Sequence, residues 1–123
     1  MAQSSTTLHE APETLSPELV DRHRAIVSLM EELEAVDWYD QRAAACSDPA
    51  LREILEHNRD EEKEHACMVL EWLRRNDTAF DGHMRKFLFT EGSIAHREES
   101  EKAGGGASGS GSLGLGSLRK DKK

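Results

Sequence analysis

The sequence predicts an all-α protein in which two long helices form an antiparallel hairpin, with a shorter third helix and a flexible tail after them. Apolar residues recur at spacings of three and four along both long segments, and only a very short turn separates these segments. Valine, isoleucine and threonine alternate nowhere in a strand pattern. The chain has 123 residues, 37% hydrophobic and 33% charged. This size excludes a large single-chain enzyme with a deep cleft, and the modest core favours self-association.

Capping residues and turns set the expected bounds of the three helices. Ser16 caps the first helix and Pro17 occupies its first turn, so we expect this helix over residues 16–46. We expect the second helix over residues 49–75 and the third over residues 78–99, where Gly82 and Gly92 weaken both ends. Apolar positions with a helical period support the first helix, namely Leu19, Ile26, Leu29, Met30, Leu33 and Val36.

Composition divides the chain into three expected parts. We expect a flexible N-terminus over residues 1–15, a helical domain over residues 16–102, and a Gly/Ser linker with a terminal peptide over residues 103–123. The net charge is −8, although the last part carries four basic residues against Asp121. The helical domain is therefore strongly acidic, so it repels nucleic acid and attracts cations.

The remaining composition indicates a cytoplasmic protein without a membrane partner. No apolar stretch approaches the length of a membrane span, and the N-terminal residues contain no apolar core of a signal peptide. Cys46 and Cys67 lack a CxxC partner, so we expect reduced, structural thiols. Five histidines also carry no ligand-spaced carboxylate on a core face and are expected to be structural: His9, His23, His57, His83 and His96.

A polar stretch interrupts the apolar face of the second helix. Positions at spacings of three and four define that face: Leu51, Leu55, Asn58, Glu62, His65, Val69 and Trp72. Polar groups at the centre of such a face cost free energy unless something pairs them. With a short turn between the helices, facing positions sum to about 95, which brings Glu32 level with residue 63. The sequence therefore predicts that Glu32, Glu62 and His65 converge as metal ligands.

One hairpin supplies only half of a four-helix bundle, and a second copy related by a two-fold axis doubles the ligand set. Di-iron sites in such bundles use a Glu from each of two helices and a Glu-x-x-His from each of the other two. Glu32, Glu62 and His65 match this set when taken twice. Carboxylate and imidazole ligands suit iron, manganese or zinc better than calcium. We expect two iron ions per dimer interface; the alternative is a solvated charged face.

The other face of the first helix carries a second acidic group with an aromatic neighbour. Glu31 and Glu34, beside Trp38, could concentrate ferrous ions on their way to the ligand cluster, or could belong to an ordinary solvated face. Tyr39 follows Glu32 by one heptad. It could hydrogen-bond a ligand or stabilise an oxidised centre, or it could contribute packing alone.

Three segments resemble the encapsulated ferritins, the ferroxidase cargo of encapsulin nanocompartments: MEELEAVDWYD at 30–40, HNRDEEKEH at 57–65 and SLGLGSLRK at 112–120. The resemblance implies a ferritin-like hairpin that dimerises and assembles into a ring of five dimers. It also implies oxidation of Fe²⁺ by the ring and storage of the mineral in the shell. Carried over by residue, Glu32, Glu62 and His65 correspond to the ferroxidase ligands. Glu31 and Glu34 correspond to the carboxylates at which iron enters.

The terminal peptide carries three leucines directly after a run of glycine, alanine and serine. Leu113 and Leu115 would point the same way in an extended peptide, and Leu118 would add a second contact. The resemblance implies that this peptide docks on the inner face of an encapsulin shell. Two other functions remain open. One is a rubrerythrin-like di-iron peroxidase, although no CxxC pair is present, and the other is a non-enzymatic helical adaptor.

Overall fold

The structure of the protein, a computed structural model, describes residues 6–97. A short 3₁₀-helix, Pro12–Thr14, precedes three α-helices: α1 (Pro17–Ala45), α2 (Pro49–Arg75) and α3 (Thr78–Phe87). The described region contains no strand, which confirms the predicted all-α class. Within residues 6–97, no helix combines the length and the apolar composition that a membrane span requires.

Capping side chains at the starts of α1 and α2 explain why these bounds agree with the sequence. Ser16 Oγ accepts a hydrogen bond from the backbone N–H of Leu19 at 3.1 Å, and Asp48 Oδ2 accepts one from Leu51 at 2.8 Å. Each side chain thereby satisfies one of the free N–H groups at a helix start. Arg52 donates twice to the carbonyl of Cys46, at 2.6 and 3.0 Å, and so ties the turn to α2.

The hairpin of α1 and α2 has a thin core. Ala43, Ala66 and Leu73 are its buried apolar residues among those that the structure describes. Many larger apolar side chains keep substantial exposure, including Leu33 at 54% and Met68 at 59%. A single hairpin has no second layer against which to bury these residues. The self-association that the composition predicts would supply such a layer, and it stays a prediction here.

The third helix is shorter than the sequence predicts. The prediction of a helix to residue 99 is wrong, because α3 ends at Phe87. Phe89 has a φ of 60° and Gly92 a φ of 86°, and left-handed backbone cannot continue a right-handed helix. Thr90 Oγ1 donates to the carbonyl of Phe87 at 2.8 Å, which supplies a partner at the helix end. Residues 88–96 continue the apolar spacing without forming a helix, and Arg97 is helical again. Residues 98 and 99 lie outside the described residues.

Candidate metal centre

Two helices bring three ligand-type side chains together at the middle of the hairpin. α1 carries Glu32, and α2 carries Glu62 and His65 three residues apart, on one face of the helix. One ligand atom from each of the three lies within 4.8 Å of the others. His65 Nδ1 is 3.1 Å from Glu62 Oε1 and 3.8 Å from Glu32 Oε1. The structure therefore has the convergence that the turn length predicts.

The cluster of Glu32, Glu62 and His65 is half-buried rather than enclosed. The exposed fractions of the three side chains are 27%, 24% and 42%. Glu32 and Glu62 each form an ion pair with His65. Within residues 6–97, neither carboxylate pairs with an arginine or lysine. Two carboxylates and an imidazole without a permanent cation could hold a divalent metal ion. Three ligands leave further coordination positions free.

The pKa values of the three side chains in the cluster depend on one another. A hydrogen bond to Glu62, with burial and the repulsion of that carboxylate, raises the pKa of Glu32. Hydrogen bonds from Glu32 and His65 lower the pKa of Glu62. The same contact with Glu62 raises the pKa of His65. The two pKa values move apart because two adjacent negative charges repel each other. A bound cation would relieve that repulsion.

The residues expected around the cluster lie on α1 without joining its ligand atoms. Glu31 and Glu34 are exposed, and neither belongs to the ligand group. The guanidinium of Arg42 lies 5.8 Å from the ring centre of Trp38 and 5.4 Å from that of Tyr39. Arg42 is absent from the residues that the sequence singled out. Its position three and four residues after two aromatic residues was the available signal, because such spacings put side chains in contact on a helix.

The structure puts the cysteines and the other histidines outside the cluster. Cys46 and Cys67 are both free thiols, and Cys46 Sγ contacts the carbonyl of Asp48 at 3.6 Å. His57 Nε2 lies 3.5 Å from Glu61 on the exposed surface of α2. In the described part of the chain, no metal-ligand group of three or more residues includes a cysteine or a histidine other than His65.

The fold is shared with a solved structure of high sequence identity. The crystal structure of protein ne0167 from Nitrosomonas europaea matches with a TM-score of 0.70 and 60% identity, covering 72% of this chain and 98% of that chain. Together, the helical architecture and the carboxylate–histidine cluster define a ferritin-like helical protein with a group that could bind metal.

The family follows from the sequence comparisons. The EncFtn-like family model matches residues 7–91, and the chain belongs to this family. An encapsulated ferritin-like protein from Rhodospirillum rubrum is 60% identical, over 97% of this chain and 92% of that protein. A ferritin-like protein from Thermotoga maritima is 50% identical, over 87% of this chain and 93% of that protein. The encapsulin nanocompartment cargo protein EncB from Myxococcus xanthus is 35% identical over 56% of this chain and 44% of EncB. The resemblance to encapsulated ferritins is confirmed.

Proposed function

We propose that the protein is a ferroxidase, which binds Fe²⁺ as its substrate at a site shared by two copies and oxidises it to Fe³⁺ with dioxygen. The observation that carries this proposal is the convergence of Glu32, Glu62 and His65, with ligand atoms within 4.8 Å of one another. Membership of the EncFtn-like family adds support, since relatives carry ferritin-like names.

A second copy is required because one hairpin offers half of a di-iron ligand set. Ferritin-like di-iron sites take one Glu from each of two helices and a Glu-x-x-His from each of the others. One hairpin supplies Glu32 as the first element, and Glu62 with His65 as the second. Each of the three side chains is 24–42% exposed, which leaves room for a partner copy against them. Two-fold symmetry then gives four carboxylates and two imidazoles for two iron ions.

The residues contribute charge and geometry, while the iron supplies the electrons. Four carboxylates balance the charge of two ferrous ions, and they bind the ferric product more strongly because its charge is higher. Protons compete with iron for Glu32, because the hydrogen bond to Glu62 raises the pKa of Glu32. His65 binds iron as the neutral imidazole, and the contact with Glu62 raises the pKa of His65, so protons compete with iron at this ligand as well. Two ferrous ions would give one electron each to dioxygen, which takes up two protons from water and leaves as hydrogen peroxide.

Iron reaches the cluster past the exposed carboxylates of α1. Glu31 and Glu34 are both exposed, and Trp38 beside them is 48% exposed. Exposed carboxylates raise the local concentration of cations without binding them permanently. Substituting Glu31 or Glu34 by alanine should therefore change the oxidation rate several-fold and leave the iron content of the site intact. Loss of bound iron in either variant would instead make that residue a ligand.

The proposed assembly is a ring of five dimers held inside an encapsulin shell, where the oxidised iron is stored. Two relatives are named for encapsulation or for cargo of an encapsulin nanocompartment. The peptide with Leu113, Leu115 and Leu118 lies outside the described residues, and its role rests on its sequence. Many copies of a weakly binding peptide on one ring would secure the cargo by avidity.

An anaerobic Fe²⁺ titration followed by native mass spectrometry tests the shared site. We expect two iron ions for each pair of chains, and an absorbance increase from ferric iron when air is admitted. Binding of one iron to each isolated chain, without association, would contradict a shared site. Stoichiometric binding without faster oxidation than free Fe²⁺ would contradict the ferroxidase.

Deleting residues 113–123 tests the terminal peptide separately from the catalytic site. Co-expressed with the shell protein, the truncated chain should keep its ferroxidase activity and no longer co-purify with shells. A control variant with the leucines intact and residues 119–123 removed separates the leucines from the basic end of the chain. Encapsulation of the chain lacking Leu113, Leu115 and Leu118 would contradict the targeting role.

A further inference from the structure

An arginine on α2 reaches across the hairpin to a carboxylate on α1. Arg59 Nη1 donates to Asp40 Oδ1 at 3.2 Å, while Arg59 Nε donates to Asp60 Oδ1 at 3.0 Å. Within residues 6–97, this is the one pair of an arginine or lysine with a carboxylate that joins α1 to α2. The cross-helix bridge of Arg59 and Asp40 therefore ties together the two helices that carry the metal-ligand cluster.

The cross-helix bridge lies between the cluster and the turn of the hairpin. Arg59 is three residues before Glu62, and Asp40 is eight residues after Glu32. At 1.5 Å per residue, these offsets are about 5 Å and about 12 Å along the helix axes. At 3.6 residues per turn, each also lies about 60–80° around its helix from the ligand. The bridge thus joins the helices beside the cluster, and Asp40 is not in the ligand group that converges there.

The surroundings of Arg59 favour a fixed position for its guanidinium. The side chain of Arg59 is 24% exposed, against 53% for Asp40. The guanidinium is a planar fork, and the bond from Nε to Asp60 orients it while Nη1 donates to Asp40. By contrast, the ion pair of Arg24 with Asp21 lies within α1 and is exposed. That pair cannot influence the distance between the two helices.

The cluster requires a link of this kind because its own members repel each other across the hairpin. Glu32 on α1 and Glu62 on α2 are both carboxylates, and their repulsion contributes to the raised pKa of Glu32. Among the buried apolar residues of the described region, only Ala66 lies within four residues of a ligand. Apolar packing therefore holds the helices weakly at this level, although a metal site requires its ligand atoms at fixed distances from the ion.

We infer that Arg59 is a positioning residue of the metal centre, which pairs with Asp40 to fix the separation of the two helices that carry the ligands. Arg59 contacts neither the ion nor dioxygen in this role. The inference rests on the proposed function and adds the residue that holds the ligands of each chain in place. The pKa shifts in the cluster arise from its own members, burial and neighbouring glutamates. Arg59 therefore acts through geometry rather than through its charge on the ligands.

Co²⁺ binding tests the position of the ligands directly. Co²⁺ accepts carboxylate and imidazole ligands, and its visible spectrum depends on their geometry. Arg59→Ala should weaken Co²⁺ binding about threefold, within the range of a partly exposed ion pair, and should change the visible spectrum of bound Co²⁺. Arg59→Lys, which keeps the charge, should recover part of the affinity. Arg24→Ala removes an ion pair within a single helix. It is the matched control and should bind Co²⁺ as the wild type does.

A double-mutant cycle identifies the partner and covers the case in which Arg59→Ala fails to fold. Asp40→Asn, at an exposed position of α1, should weaken Co²⁺ binding by a similar factor. Combining it with Arg59→Ala should cost little more, which is the coupling expected of residues in contact. Circular dichroism checks the helix content of each variant. Additive losses in the cycle, or a lower Tm with unchanged Co²⁺ affinity in both folded single variants, would overturn the inference.

The wild-type chain distinguishes failure of this inference from failure of the proposed function. If the wild type and Arg59→Ala bind Co²⁺ equally well, the metal centre stands and Arg59 does not position it. If the wild type binds Co²⁺ more tightly than Arg59→Ala but oxidises Fe²⁺ no faster than the free ion reacts, the ferroxidase fails and the positioning role stands. If the wild type binds neither Co²⁺ nor Fe²⁺, the metal centre fails and the positioning role fails with it.

Discussion

Two groups of charged residues on α2 contain carboxylates with different kinds of partner. At the middle of the hairpin, Glu62 meets Glu32 and His65. Near the end of α2, Glu71 accepts hydrogen bonds from Arg74 at 2.8 and 2.9 Å and from Arg75 at 2.7 Å. Arg74 also pairs with Asp81 of α3. The first group gathers carboxylates around an imidazole, whereas the second gives them guanidinium partners.

The pKa values follow from these partners. Hydrogen bonds from Arg74 and Arg75 lower the pKa of Glu71 to about 2, whereas the contact with Glu62 raises the pKa of Glu32. A guanidinium stabilises a neighbouring negative charge, and a second carboxylate destabilises it. Glu71, like other acidic residues with arginine partners, therefore already has its counter-ion. Those that face each other remain available for a cation from solution.

Removing ligands should give the largest difference between the two groups. Glu32→Ala, Glu62→Ala and His65→Ala should each reduce iron oxidation to the rate of free Fe²⁺, because each substitution deletes two ligands from the proposed two-copy site. Glu71→Ala is the matched control on α2 and should keep the wild-type initial rate. The measurement is the initial absorbance change after mixing with Fe²⁺ in air. A wild-type rate in a folded ligand variant would remove that residue from the site.

Neutralising one carboxylate in each group should shift the stability of the metal-free protein in opposite directions. Glu32→Gln removes a charge that Glu62 repels and supplies a side-chain amide that can donate to Glu62, so we expect Tm to rise by a few degrees, given that about 1 kcal/mol corresponds to about 4–8 °C in a domain of this size. Glu71→Gln removes charge-assisted bonds to Arg74 and Arg75 and should lower Tm. Calorimetry after chelation measures both. Shifts of the same sign would show that repulsion does not dominate the cluster.

Acid should remove the stabilisation that Glu71 gives to the folded chain. We expect this change in Tm to be the smallest of the three predicted effects. The pKa of Glu71 is about 2 in the folded chain against an ordinary 4.5, so the folded state binds this proton more weakly than the unfolded state. Its stabilisation is complete above about pH 4.5 and is lost as the pH falls toward 2. The Tm of the metal-free wild type should therefore fall more between pH 5 and 3 than that of Glu71→Gln. Parallel curves for the two proteins would contradict this assignment.

Local signals in the sequence determined the two long helices and the level at which their ligands meet. Ser16 and Asp48 cap helices through side chains that contact backbone groups three residues away, and such contacts depend on few neighbours. A turn of three residues between α1 and α2 fixes the register of the hairpin. Residue spacing was therefore sufficient to match Glu32 with Glu62 and His65.

Tertiary structure alone decided the end of α3, the stacking of Arg42 and the open groove that Ala25 and Trp72 line. Phe89 adopts a φ of 60°, which is disfavoured for phenylalanine, so local preferences in the sequence did not predict that turn. The space between Ala25 and Trp72 depends on how closely α1 and α2 pack, and the partners of Glu71 depend on the direction of neighbouring side chains. Spacing along a chain specifies which faces meet. Distances, and therefore cavities and pKa values, arise only when the faces have packed.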